Sequence, residues 1–85
     1  MPTIVLYGRP GCCLCDEARE VLLRVRRRHS FELVERDIEA DESLLRSYLE
    51  RIPVVTIDGV EAFELFVDED ELARRLNEVR PAGWR

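Results

Sequence analysis

The sequence has no lysine and no glutamine, one asparagine, one histidine and no apolar run approaching the length of a membrane span. Each absence removes a class of function. Without lysine there is no Schiff-base chemistry on a side-chain amine. A spanning helix needs about 20 consecutive apolar residues, and Met1 to Gly11 also lacks the basic stretch and apolar core of a secretory signal. The expectation is a cytoplasmic protein with no membrane partner. A net charge of -5 argues against nucleic acid as a partner, because phosphate binding needs a cationic surface that releases counterions. The one basic run, Arg24-Val25-Arg26-Arg27-Arg28-His29, falls at an expected helix end, where positive charge complements the macrodipole.

Cysteine is scarce but concentrated. Three cysteines occupy four consecutive positions, Cys12, Cys13 and Cys15 flanking Leu14. A secreted disulfide scaffold spreads an even number along the chain to close loops, so the cluster points instead to redox or metal chemistry. The rest of the composition is that of a folded globule, with 46% apolar and 36% charged residues. At 85 residues there is room for one core, so residues 1–85 are expected to form a single domain.

Periodicity supplies the elements. Thr3-Ile4-Val5-Leu6-Tyr7 is a short apolar run stopped by Gly8, which suits a strand buried on both faces. After the Arg9-Pro10-Gly11 turn, Leu14, Ala18, Val21, Leu22 and Val25 recur at helical spacing, predicting a helix from Cys12 to about His29. Phe31 to Asp37 reads as a second strand near a sheet edge. Leu44, Leu45, Tyr48 and Leu49 predict a short helix after Asp41 and Glu42, ended ahead of Pro53. Val54 to Ile57, Asp58-Gly59, and Val60 to Phe66 form a hairpin signal. A last helix begins near Asp68 as N-cap and carries Leu72, Leu76 and Val79 up to Pro81; Trp84 suggests only packing. The order β-α-β-α-β-β-α implies an α/β fold with a mixed sheet. Sites in such sheets gather beyond the carboxyl ends of parallel strands, where the Arg9 to Cys12 loop lies.

Cys12 and Cys15 form a C-x-x-C pair at a strand-to-helix junction. Three residues along a helix place both side chains on one face, within reach of disulfide geometry. Cys12, at or just before the first turn, meets unpaired backbone N–H groups and the positive end of the dipole, which favour a thiolate. It is the expected nucleophile, and Cys15, lying deeper, the expected resolving thiol. Cys13 points about 100° away around the helix and reads as a small half-exposed residue. Structural zinc needs four ligands, and His29 would stand roughly 21 Å of helix rise from Cys15, so no metal site is expected.

The stretch Tyr7-Gly8-Arg9-Pro10-Gly11-Cys12-Cys13-Leu14-Cys15-Asp16-Glu17-Ala18, with Arg51-Ile52-Pro53-Val54-Val55 and Ile57-Asp58-Gly59, resembles the glutaredoxin-like proteins of the thioredoxin superfamily. The resemblance covers nearly the whole chain. It implies a four-stranded mixed sheet with helices on both faces and a cis peptide at Ile52-Pro53. It implies that Pro53 faces the cysteine pair and the Ile52 backbone offers hydrogen bonds to an extended substrate, that Gly11 is a further substrate-binding residue, and that Arg9, three positions before the nucleophile, binds a glutathione-like carboxylate. The implied activity is thiol–disulfide exchange on protein or low-molecular-weight disulfides. It needs no bound cofactor, with glutathione as a co-substrate and glutathione or a thioredoxin reductase-like protein as reductant, on a monomer. Two departures stand out. The C-P-Y-C centre is Cys-Cys-Leu-Cys here, and the Gly-Gly pair that brings backbone close to glutathione is replaced around Phe63-Glu64-Leu65, where side chains fill that approach. Asp68 resembles the acidic residue after that pair, displaced by about one position, and helix capping accounts for it. Two alternative functions are an iron–sulfur carrier bridging a dimer at Cys12 and a redox-inactive interaction module.

Overall fold

Strand β1, Thr3–Gly8, alternates: Ile4, Leu6 and Gly8 are buried, whereas Thr3, Val5 and Tyr7 are half-buried. The apolar run implies burial on both faces, but only one is fully covered. The reason is the shortness of the helix on the other side, which contributes no fully buried residue. The structure is a computed structural model and describes residues 1–78. The expected roles of Val79, Pro81 and Trp84 lie outside the described residues.

Helix α1, Cys13–Arg26, buries Cys15, Ala18, Leu22 and Val25, a stripe at helical spacing. Leu14 is not part of it and stands 46% exposed, because Cys15 takes the core-facing place in that turn. The helix also stops at Arg26, short of His29. Val25 is its last buried residue, and the N–H groups of Arg27, Arg28 and His29 close back onto the Arg24 and Val25 carbonyls. Arg24 and Arg28 both reach the Glu69 carboxylate at 3.1 Å. The basic run thus ties α1 to the last helix.

Strand β2, Glu32–Asp37, follows and pairs parallel with β1. A 3-10 turn at Ile38–Ala40, which periodicity does not foretell, is capped by Asp37 and buries Ile38 completely. Helix α2, Glu42–Tyr48, has Asp41 as N-cap, its carboxylate accepting from the Ser43 and Leu44 N–H groups. Strands β3, Val54–Ile57, and β4, Val60–Glu64, form the hairpin, with positive φ at both Asp58 (51°) and Gly59 (86°) as a primed turn requires. β4 ends before Phe66 because Leu65 leaves the extended region, at φ 72°. Helix α3, Glu69–Glu78, is capped by Asp68, whose carboxylate accepts from the Asp70 and Glu71 N–H groups.

The sheet order is β2-β1-β3-β4, with β3 antiparallel to both its neighbours and β2 on an edge. Two apolar clusters cover its faces. Ile4, Leu6, Val55 and Ile57 pack with Ala18, Leu22 and Val25 of α1 and Leu72 and Leu76 of α3. On the other face Tyr7 joins Leu44, Leu45 and Tyr48 of α2 around Ile38, Ile52 and Cys15, with the two tyrosine ring centroids 4.9 Å apart. Cys15 is where the second cluster meets α1. The architecture is the β-α-β-α-β-β-α order and mixed four-stranded sheet that the sequence implies.

Candidate functional site

The loop from β1 to α1 builds the site. Gly11 takes φ 79°, a conformation that costs an L side chain about 1 kcal/mol or more, and an added Cβ there would meet no neighbour. The demand for glycine is conformational. The turn delivers Cys12 as N-cap of α1 in an extended conformation, with its Sγ accepting the Cys15 backbone N–H at 3.2 Å. A helix N-terminus leaves its first N–H groups unpaired, so sulfur here replaces the usual oxygen cap. The Cys12 sulfur thus stands at the helix N-terminus against an N–H donor.

The three cysteines are free thiols in distinct settings: Cys12 is half-buried, Cys13 exposed and Cys15 only 3% exposed. Burial pushes the Cys15 thiol up to about 11, reinforced by its hydrogen bond with Cys12 and partly offset by the Arg9 backbone N–H. Cys15 is therefore a protonated thiol at neutral pH.

The Ile52-Pro53 peptide bond is cis. Ile52 packs in one cluster with Cys15, and Cys12 and Tyr7 lie against it. The carbonyls on either side, of Arg51 and Pro53, both accept the Leu65 N–H, at 3.2 and 2.9 Å, whereas the Ile52 N–H and carbonyl make no backbone hydrogen bond among the described residues. The fold thus gathers Cys12, Cys15 and Ile52 and leaves the Ile52 backbone unpaired beside them.

Arg9 is exposed, and its guanidinium lies 3.7 Å from the Glu39 carboxylate, so its charge is shared with the 3-10 turn. It borders a cleft of about 280 Å³ at the carboxyl ends of β1 and β2, with Gly8 and Cys15 among its lining residues and charged walls from Arg19, Glu35 and Arg36. Arg19 is held there by Glu35 at 2.7 Å and Asp16 at 3.0 Å. Around the replaced Gly-Gly pair, Glu64 does not carry an unpaired charge: Arg51 holds it at 2.7 Å and also grips Glu61. Phe63 lies half-buried beneath Arg75, while Leu65 and Phe66 are exposed.

His29 sits beyond the far end of α1 from the cysteines, and among the described residues no three His, Cys, Asp or Glu side chains group as a metal site. No helix among them is long and apolar enough to cross a membrane. One residue of the site escaped the sequence reading. Gly8 reads there as a strand terminator, yet it lies inside β1 directly against the Cys15 sulfur. Its signal was a glycine ending a buried strand just ahead of the cysteine pair.

Comparisons with known proteins agree with this geometry. Residues 3–77 match the family described as Glutaredoxin-like domain (DUF836). Protein Ne2328 from Nitrosomonas europaea, solved by NMR, is 34% identical over 88% of this chain and 91% of its own, with a TM-score of 0.78. The X-ray structure of protein XcR50 from X. campestris is 27% identical over 91% of this chain and 99% of its own, with a TM-score of 0.75. A thioredoxin variant from Halobacterium salinarum shares the fold at 17% identity, covering 94% of this chain and 78% of its own, with a TM-score of 0.69. No curated protein sequence matches. With its Cys12 and Cys15 pair at the start of α1 and a thioredoxin-like fold, the chain belongs to the Glutaredoxin-like domain (DUF836) family.

Proposed function

We propose that this protein is a thiol–disulfide oxidoreductase in which Cys12 attacks and Cys15 resolves. The observation that carries the reading is the asymmetry of the pair. The Cys12 sulfur is half-buried, reachable and held by an N–H donor at the helix N-terminus, while the Cys15 thiol lies behind it, buried and protonated. That division suits one sulfur to meet an incoming disulfide and the other to wait.

In the first step the Cys12 thiolate bonds to one sulfur of the substrate disulfide, and the other substrate sulfur leaves as a thiolate and takes a proton from water. Cys15 then gives its proton to solvent base and attacks the Cys12 sulfur. A Cys12-Cys15 disulfide forms, the second substrate thiolate leaves, and two electrons have passed to the substrate. A thiol reductant, glutathione or a thioredoxin reductase-like protein, restores the dithiol. The unpaired Ile52 backbone groups beside Pro53 suit pairing with an extended substrate segment, and Gly11, at φ 79°, allows the turn that delivers Cys12. Arg9 would offer its guanidinium to a substrate carboxylate in exchange for Glu39. The substrates are protein or low-molecular-weight disulfides. The setting is a reducing cytoplasm, which keeps such a dithiol charged, and the working unit is a single-domain monomer.

Trapping tests the reading. Cys15→Ser, exposed to mild disulfide stress, should accumulate mixed disulfides on Cys12 that mass spectrometry identifies. If Cys12 stays free while the wild-type protein also turns over no disulfide, exchange is not its function.

A further inference from the structure

Gly8 is the last residue of β1, buried, on the face that α1 covers. A Cβ built on it would stand 2.8 Å from the Cys15 Sγ and 3.2 Å from the Cys15 Cβ. The first separation is far inside van der Waals contact, so the sulfur occupies the space a side chain at position 8 would need. Gly8 does not have a positive φ, so backbone freedom does not explain the glycine. The glycine makes room for the Cys15 sulfur.

We propose that Gly8 is a positioning residue for the resolving thiol, its missing side chain forming the seat in which the reduced Cys15 sulfur rests and so setting the balance between dithiol and disulfide. The inference rests on the exchange reading above. The reduced sulfur lies between the strand and the helix N-terminus, close to the Arg9 backbone N–H on one side and Cys12 on the other. Bond formation draws the two free sulfurs together to covalent distance. In the dithiol the Cys15 sulfur fills the seat on Gly8, and turning toward the half-buried Cys12 to bond takes it off that seat. A methyl group at position 8 therefore crowds the dithiol more than the disulfide. It also pushes the waiting thiol toward Cys12.

The redox step concerned is balanced: Cys12 and Cys15 thiols plus oxidised dithiothreitol give the Cys12-Cys15 disulfide plus reduced dithiothreitol. The test equilibrates wild type and Gly8→Ala in dithiothreitol buffers of graded ratio and reads the oxidised fraction by thiol alkylation and mass spectrometry. Overpacking by one methyl in a close-packed site should shift the equilibrium toward the disulfide by at least about fivefold. An equilibrium unchanged, or moved toward the dithiol, overturns the proposal. Should Gly8→Ala fold poorly, the Gly8→Ala, Cys15→Ala double variant decides. With the sulfur gone, the added methyl should cost much less stability than it does in the presence of Cys15. An equal loss in both backgrounds shows that position 8 crowds something other than the sulfur, and overturns it too. The exchange reading fails separately: in that case the wild-type protein itself forms no Cys12-Cys15 disulfide in any of the buffers.

Discussion

The Cys15 backbone N–H donates to the Cys12 sulfur over 3.2 Å, while the Cys15 thiol is itself buried. In the proposed exchange one residue thus supports the nucleophile with its amide and attacks it with its sulfur to release the substrate. At neutral pH iodoacetamide should modify Cys12 at least about tenfold faster than Cys15 or Cys13, since reactivity follows thiolate character and access together. Peptide mass spectrometry on timed quenches checks this. Fastest labelling at the exposed Cys13 would reassign the nucleophile.

The Cys15 thiol, pushed up to about 11, makes two pH predictions. In a stopped-flow experiment started from the Cys12 mixed disulfide, the resolving rate should rise with pH above neutrality, because only the Cys15 thiolate attacks and burial, the largest cause of its raised value, persists there. Stability should move the other way. The folded value lies above the unfolded one, so the contribution of the protonated thiol is complete below about pH 9 and is lost as pH rises toward 11. Two units correspond to about 2–3 kcal/mol. The stability difference between reduced wild type and Cys15→Ala, measured by denaturant unfolding, should show that loss over this interval; a flat difference contradicts it.

Much of this arrangement is legible in the sequence, because it is written in period and punctuation. The Asp58-Gly59 turn, the Asp68 cap and the C-x-x-C pair opening a helix are local signals, and each appears where the residues place it. The misreadings share a cause. Cys15 is buried as its expected role requires, but Leu14 also fits the apolar period, and only tertiary packing decides that it stays outside. The 3-10 turn at Ile38–Ala40 is too short for a period, and the end of α1 at Arg26 depends on where the core stops. Gly8 as a partner of Cys15 is a contact between strand and helix, visible only once the chain is folded.

Leu65 holds φ 72°, in the left-handed region that a branched side chain enters at a cost of roughly 1–2 kcal/mol, while its N–H joins the Arg51 and Pro53 carbonyls. Leu65→Gly keeps that N–H and releases the strain, and glycine's greater unfolded-state entropy takes back part of the gain. A net stabilisation of about 0.5–1 kcal/mol is expected from denaturant midpoints. The same variant clears a 45% exposed leucine from beside the Ile52 loop, so reduction of glutathione disulfide should rise severalfold. A slower reaction would show that Leu65 assists small substrates instead.

Thr56 is the buried polar residue on the second face of β3, 4% exposed, and its Oγ1 has no hydrogen-bond partner among the described residues. Thr56→Val keeps the shape and removes the unmet hydroxyl. It should raise stability by about 1 kcal/mol and leave exchange kinetics alone. Calorimetry of the reduced proteins reads the first and a disulfide-reduction assay the second.

The outer strand β2 carries Glu32, Glu35, Arg36 and Asp37 exposed along an edge whose backbone pairs only with β1. An open edge is a template for another chain to add itself to the sheet. A second chain added there would have to strip water from these charged side chains, which is how charge on an edge strand opposes such pairing. The charge that makes β2 a poor core strand thus also guards the sheet against growing sideways into aggregates.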